Sequence, residues 1–233
     1  MGGENLKLRR QKLNEQVLER LLDWIMDGTL SMGDHLNAEK IAQQLGVSRM
    51  PVREAFTMLE QLGLAEAVPY VGFKVIELDK QDVAEIYLIR QLLEPEMAAV
   101  AAQNIDEAGI AELKNVHQSI IDEFAKREPD PRALYRLNKE FHFTLYQYAK
   151  LDRLYDIIHT LWNALSFYKL VYSKQYIASK EAADDMVETH AAVLKMLDAR
   201  DPMKIKEILK TDLEYHTKDV PEAVSAIVHA KEH

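Results

Sequence analysis

The fold of the amino-terminal part is decided by one stretch of sequence, LNAEKIAQQLGVSRMPVREAF, which covers residues 36–56. Its apolar residues recur at steps of three and four, the spacing of helices that each bury one face. Asn37 is suited to cap the first helix, and Gly46 can end it in the left-handed backbone conformation that a sharp turn needs. The stretch therefore predicts two short helices joined by a tight turn.

The second helix of this pair is predicted to begin at Ser48, whose side-chain oxygen can cap the free amides of the first turn. Its predicted buried face consists of Val52, Ala55, Phe56, Leu59 and Leu62. Arg49 and Arg53 lie one turn apart and off that face. The second helix of a helix-turn-helix enters the major groove, where arginine can bond guanine or clamp a phosphate. The pattern favours DNA reading over the alternative, in which the arginines merely pair with Glu54 or Glu60.

A β-hairpin is predicted directly after the two helices. Residues 64–69 and 72–77 form short extended runs on either side of the turn Pro69, Tyr70, Val71, Gly72. Upstream, an amphipathic helix is marked by Leu13, Val17, Leu21, Trp24 and Ile25. Residues 1–78 are therefore predicted to form a winged helix-turn-helix domain.

The run VSRMPVREAFTMLEQLGL, followed by PYVG, resembles the winged helix-turn-helix of the GntR family of bacterial transcription regulators. The resemblance covers about residues 10–78. It implies DNA contacts at Lys40, Ser48, Arg49, Arg53 and the wing around Gly72. Met50, which follows Arg49, is also predicted to belong to the DNA-binding surface. Wings of this family often carry an arginine before the glycine, and this chain has Val71 there, so the resemblance does not extend to a cation at the wing tip.

Composition sets limits on the rest of the chain. A length of 233 residues with 48% hydrophobic content allows two domains with buried cores. Because the sequence has no cysteine, disulfides and thiolate metal sites are excluded. No segment reaches the roughly 18 to 20 apolar residues of a membrane span, and the first residues lack the apolar core of a signal peptide. The sequence therefore predicts a cytoplasmic chain without a membrane partner.

Charge is distributed unevenly along the chain. The net charge is −9, but residues 1–78, with nine Lys or Arg and eleven Asp or Glu, contribute only −2 of it. The amino-terminal part is thus not a basic domain. Its DNA affinity is predicted to depend on a few placed cations and to gain little on random DNA, where neutralised phosphates supply the binding.

From Asp79 onward the pattern is that of helices alone, six or seven of them, with one of the breaks placed near Pro221. Residues 79–233 are predicted to form an all-helical domain, so the whole chain is mainly α. Several polar residues fall on the apolar stripes of these helices, namely Asn138, His142, His190, Asp212 and His216. Buried polar groups need partners, which can be one another, water, an anion or a metal.

Three segments of this part resemble the FCD effector-binding domain, the helical partner of many GntR winged helices in the FadR subgroup. They are IRQLLEPEMAAVAA at residues 89–102, NKEFH at 138–142 and ETHAAVLKMLDARD at 188–201. In metal-binding members the ligands are an aspartate and three histidines. The matching positions here are Asn138, His142, His190 and Asp212, with His216 as the nearest later histidine.

Two of the four ligands that the resemblance implies are therefore changed in this chain. His142, His190 and Asp212 could still hold one Zn²⁺, Mn²⁺ or Ni²⁺, with Asn138 as a weak donor and His216 as a substitute for Asp212. The alternative is a metal-free polar pocket in which the histidines bind the effector or water.

Arg90 and Glu94 lie one turn apart in the centre of another apolar stripe. They are predicted to form a buried ion pair; the alternative is that Arg90, with His142 and His190, contacts an anionic effector.

These observations predict a dimeric transcription regulator rather than an enzyme, and one that represses its target. By resemblance, its partners would be a double-stranded operator with a short inverted repeat and a small organic acid that acts as effector. Two other classes stay open. One is a metal-dependent enzyme built on His142, His190 and Asp212, although no catalytic motif supports it. The other is a DNA-bound scaffold without an effector.

Overall fold

The structure is a computed structural model, which describes residues 13–166, 169 and 180–229, with the side chains of 180–183 and 216–229 left out. The chain divides into two compact units, residues 1–77 and 78–233. As predicted, the protein is mainly α-helical.

The described part of the first unit, residues 13–77, contains three helices and a small antiparallel sheet. The elements are α1 Leu13–Met26, β1 His35–Leu36, α2 Ala38–Leu45, α3 Arg49–Gln61, β2 Ala65–Val68 and β3 Gly72–Val75. The central strand is β3, which pairs with β1 on one side and β2 on the other. The two-residue strand β1 was not predicted from the sequence. The core comprises Leu21, Ile25, Val52, Ala55, Phe56, Leu59, Leu64 and Val75.

Local sequence signals place the turn between α2 and α3. The side chain of Asn37 accepts hydrogen bonds from the backbone amides of Glu39 and Lys40, so it caps α2 as predicted. Gly46 ends α2 with φ 66°, in the left-handed region. Ser48 is the residue before α3, but its hydroxyl makes no capping hydrogen bond, so the prediction of a side-chain cap is wrong. Leu62, predicted to be on the buried face of α3, lies beyond the helix and is 39% exposed.

In the described part of the second unit, all regular secondary structure is helical. Its helices are α4 Lys80–Asn104, α5 Glu107–Phe124, α6 Pro131–Tyr146, α7 Asp152–Ala164, α8 Lys180–Asp198 and α9 Pro202–His229, with one 3-10 turn at Gln147–Ala149. The most extensive packing between two helices is that of α4 against α9, and α5 packs against both α6 and α8. The break predicted near Pro221 is wrong, because α9 runs through it. A proline removes one helical hydrogen bond without forcing the helix to end, as Pro95 inside α4 also shows.

The main core of the second unit is formed by Met97, Ile105, Leu113, Ile120, Leu134, Phe141, Tyr146, Ile158, Trp162, Val193, Leu197 and Ile205. A smaller apolar cluster joins Val83 and Tyr87 of α4 to Leu165 and Leu213. In the described part of the chain, no helix is both long and apolar enough to cross a membrane.

Candidate functional site

The exposed side of α3 carries the residues predicted to read DNA. Arg49 and Met50 are 69% and 70% exposed, and Arg53 is exposed one turn further along. We call these three residues the reading face. The opposite side of α3 is fixed in the core through Val52 and Phe56. The reading face is therefore held rigidly by packing while its own side chains stay accessible.

A cleft of about 340 Å³ adjoins the reading face. It is lined by His35, Leu36, Asn37, Ala38, Glu39, Arg49, Arg53, Phe56, Val71, Gly72 and Phe73. The structure thus brings Arg49, Arg53 and Gly72 to one surface, which spans α3 and the wing. Lys40 and Ser48 are exposed at the starts of α2 and α3.

Ion pairs on this surface differ in how firmly they hold their cations. Arg49 Nη1 lies 3.7 Å from Glu39 Oε2, and both side chains are exposed, so this pair contributes little and can exchange for a phosphate. Lys74 of the wing is engaged by Glu66 at 2.9 Å and by Glu77 at 3.9 Å. The hydrogen bond to Glu66 raises the pKa of Lys74 above its ordinary value.

One contact at the wing was not foreseen. His35 Nε2 lies 2.7 Å from the carbonyl oxygen of Val71, at the wing tip. Since a carbonyl can only accept, the ring must donate an N–H from this nitrogen. Strand β1, which carries His35, has only two residues, too few to be recognised by alternation of apolar and polar residues, so no sequence pattern predicts the contact.

A buried polar cluster occupies the second unit, centred on Glu94 of α4. Its carboxylate accepts hydrogen bonds from Arg90 on the same helix, from the Tyr146 hydroxyl at 2.7 Å and from Trp162 Nε1 at 2.9 Å. The predicted ion pair is therefore present, and it joins α4 to α6 and α7. Such a buried carboxylate is tolerated because three side chains donate hydrogen bonds to it.

The Arg90 guanidinium has further neighbours in this cluster besides Glu94. Its guanidinium carbon lies 4.4 Å from the ring centre of Trp162 and 5.1 Å from that of Tyr87. Burial is the largest influence on its pKa and lowers it, but the charge and hydrogen bond of Glu94 together with Tyr87 and Tyr146 outweigh burial and keep the pKa above its ordinary value. Its Nη1 atom is buried and has no hydrogen-bond partner among the described residues. Arg90 is thus a permanent cation whose Nη1 meets no acceptor among the described residues.

His142 and His190 meet next to this cluster. Their Nε2 atoms are 3.4 Å apart, and His142 Nδ1 lies 3.4 Å from the Tyr146 hydroxyl. Burial lowers the pKa of His190 well below its ordinary value, and His142 and His117 lower it further, so His190 is neutral at pH 7. His117 lies beside His190 and is not singled out by the sequence pattern, with 6.2 Å between the two ring centres. Its Nδ1, like that of His190, is buried without a partner in the described part of the chain.

The described residues do not assemble the predicted metal centre around the two histidines. Among the described residues, no group of three or more His, Cys, Asp or Glu side chains is arranged to hold a metal ion. Asp212 lies within electrostatic reach of the ion pair: burial raises its pKa to about 6, Lys169 and Arg90 oppose that rise, and Glu94 adds to it. Asn138 is half-buried. The side chain of His216 lies outside the described residues. The described side chains thus do not fit the predicted metal centre.

A winged helix-turn-helix domain followed by a helical domain is the architecture of a class of DNA-binding transcription regulators. Comparison with known proteins supports this assignment. Residues 13–75 match the family model described as bacterial regulatory proteins, gntR family, and residues 85–215 match the FCD domain.

Individual relatives agree with the family models. The transcriptional regulator McbR of Escherichia coli (strain K12) is 30% identical over 156 residues, which are 67% of this chain and 70% of McbR. The transcriptional repressor RspR of the same organism is 27% identical over 218 residues, 93% of this chain and 91% of RspR. The solved structure of E. coli McbR/YncC superposes with a TM-score of 0.65 at 25% identity, covering 95% of this chain and 99% of that one.

The chain belongs to the GntR family and carries an FCD domain. The family and these relatives are transcription regulators, as their names state.

Proposed function

We propose that the chain is a sequence-specific DNA-binding repressor whose operator binding is controlled by a small organic acid bound in its second unit. The observation that carries the DNA-binding part is the reading face. Arg49, Met50 and Arg53 project from a helix whose other side is locked in a core, next to the wing at Gly72. Helices presented in this way enter the major groove.

The proposed contacts divide by chemistry. Arg49 and Arg53 can each bond guanine bidentately or neutralise a phosphate, while exposed Met50 can offer apolar contact to a thymine methyl group. Lys40 and the Ser48 hydroxyl, at the helix starts, are suited to phosphate oxygens. Because residues 1–78 carry a net charge of −2, binding depends on these few groups and not on a general positive field.

The direction of control is inferred from relatives. RspR, which aligns along most of this chain, is named a transcriptional repressor. A repressor needs only to occupy its operator, and the surface described above is sufficient for that. We therefore expect loss of the protein to raise expression of the genes beside its operator.

The second unit is suited to an anionic effector. Arg90 Nη1 is buried without a partner among the described residues, and leaving such a donor unsatisfied costs about 1 to 3 kcal/mol. An incoming carboxylate would remove that cost. The neutral His190, whose Nδ1 has no partner among the described residues, and His142 lie near the same cluster and offer further polar contacts. A carboxylate fits a guanidinium better than a neutral ligand would, because it accepts two parallel bonds.

A second copy of the chain is the proposed protein partner. Leu88, Ile89 and Leu92 of α4 are exposed apolar residues on one side of that helix, which is unusual for a surface of an isolated unit. Pairing two such surfaces about a two-fold axis would place two reading faces on the two halves of a short inverted repeat.

Control then follows from linkage. If the acid binds best to a dimer whose reading faces are wrongly spaced for the two half-sites, the acid and the operator each weaken the other's binding by the same factor.

The experiment that tests this function is selection of random-sequence duplexes on the full-length chain, followed by a binding assay with the recovered duplex. We expect an inverted repeat and a dimer in the complex. Recovery of unrelated sequences, with equal affinity for all of them, would contradict a sequence-specific reader.

A further inference from the structure

The wing tip is held by an unusual set of backbone conformations. Tyr70 has φ 64° and Gly72 has φ 109°, both in the left-handed region, and the amide of Val71 donates to the carbonyl of Val68 across the turn. Tyr70 is fully exposed and Val71 is more than half exposed, so packing does not fix the tip. Some other contact has to determine where the peptide between Val71 and Gly72 points.

His35 makes that contact. It lies in β1, where its Cα pairs with that of Lys74 in β3, and its ring reaches the carbonyl of Val71 at 2.7 Å. A Cβ placed on Gly72 would lie 3.8 Å from the same ring nitrogen, so the imidazole covers the glycine as well. The ring also lines the cleft that contains Arg49 and Arg53. His35 thus contacts the wing tip and lines the same cleft as Arg49 and Arg53 of α3.

We infer that His35 is a positioning residue of the DNA-binding surface: its Nε2–H holds the Val71 carbonyl and so sets the wing against the groove that neighbours the one read by α3. The inference rests on the proposed DNA-binding function and adds to it a residue outside the predicted contacts. The wing has no cation at its tip, and Lys74 is paired with Glu66. The backbone and apolar groups of the tip must therefore be placed accurately if the wing is to contribute to DNA binding.

The chemistry of the contact provides a conservative substitution. Glutamine carries an amide N–H that can donate to the same carbonyl, whereas alanine has no donor. Because His35 is exposed, neither change leaves a buried cavity. His35→Ala and His35→Gln therefore separate the hydrogen bond from general effects on folding.

The test uses the full-length chain and a duplex recovered by selection from random-sequence DNA. We expect His35→Ala to weaken binding about three- to ten-fold per wing, the value of one neutral hydrogen bond, and His35→Gln to stay within about two-fold of the original chain. Hydroxyl-radical footprinting should show loss of minor-groove protection at the flanks of the site with His35→Ala, while methylation protection of major-groove guanines under α3 persists.

Two outcomes would overturn the inference. One is unchanged affinity and footprint for His35→Ala. The other is an equal loss with both substitutions together with loss of the major-groove protection, since that would indicate a structural role. Arg49→Ala and Arg53→Ala, measured in parallel, test the DNA-binding proposal itself: if they bind as the original chain does, it is the proposed function that fails.

Discussion

The hydroxyl of Tyr146 on α6 donates a 2.7 Å hydrogen bond to the carboxylate of Glu94 on α4, and both side chains are buried. Glu94 is already paired with Arg90, so this bond ties a second helix to the ion pair. Burial and Glu94 raise the pKa of Tyr146 well above its ordinary value, so the phenol keeps its proton and remains a donor.

Tyr146→Phe is expected to lower the free energy of unfolding by about 1 to 3 kcal/mol, because the acceptor loses one of its donors in a buried setting. Urea denaturation followed by circular dichroism measures the change. Tyr155→Phe on α7 is a suitable control, because Tyr155 is only partly buried. Equal small effects of the two substitutions would show that the bond to Glu94 adds nothing.

Glu94→Gln should be far more damaging than removal of an acid from an exposed pair. It leaves the Arg90 cation buried without its counter-charge, which typically costs about 3 to 5 kcal/mol. Glu140→Gln is the matched control, since Arg136 and Glu140 form an exposed pair of the same spacing. Comparable midpoints of denaturation for the two variants would contradict the role assigned to the ion pair.

Glu123 of α5 should contribute a stability that depends on pH. Hydrogen bonds from Lys126 and from the backbone amide of Asp130 lower the pKa of Glu123 below its ordinary value of 4.5. The folded state therefore binds the proton less readily than the unfolded state, so the stabilisation is complete above the unfolded pKa and is lost as the pH falls through the folded one. The stability difference between the original chain and Glu123→Gln should shrink between about pH 6 and pH 3, as measured by denaturation at each pH. A constant difference across this range would be inconsistent with the lowered pKa.

Arg49→Ala and Arg53→Ala should each weaken operator binding by about 1 to 3 kcal/mol if the arginine reads a base, or reduce the salt dependence by about one phosphate if it contacts the backbone. Fluorescence anisotropy at several salt concentrations distinguishes these two cases. Arg136→Ala, an exposed arginine of the second unit, should leave binding unchanged. If the reading-face variants behave like this control, α3 does not dock as proposed.

Metal content tests the altered site. The described residues supply two histidine nitrogens 3.4 Å apart without a third ligand, so we expect well under one equivalent of Zn²⁺, Mn²⁺ or Ni²⁺ to stay bound after dialysis of the full-length chain. Elemental analysis gives the value. One tightly held equivalent would contradict this account, and His216→Ala would then show whether that residue completes the site.

The first unit could be predicted closely from the sequence because its determinants are local. The capping oxygen of Asn37 and the left-handed turn at Gly46 act within a few residues, and the two wing strands directly adjoin the turn that joins them. The contact of His35 with Val71 escaped prediction, since it joins positions 36 apart through a strand of only two residues.

The buried cluster of the second unit could be predicted only in part. Helical phase was enough to place Arg90 beside Glu94 and to turn His142 inward. It could not show that Trp162, 68 positions further on, also bonds Glu94, or that Asp212 lies within electrostatic reach of the ion pair. These contacts depend on how separate helices are rotated about their axes and shifted along them, which the periodicity of each helix does not determine.

The most direct test of the account is the affinity of the full-length chain for its selected duplex, with and without an organic acid that binds it. From a panel of small mono- and dicarboxylic acids, one that binds should reduce operator affinity about 5- to 150-fold, and the duplex should reduce affinity for that acid by the same factor. An acid that binds at saturation yet leaves the operator affinity unchanged would contradict control of DNA reading through the second unit.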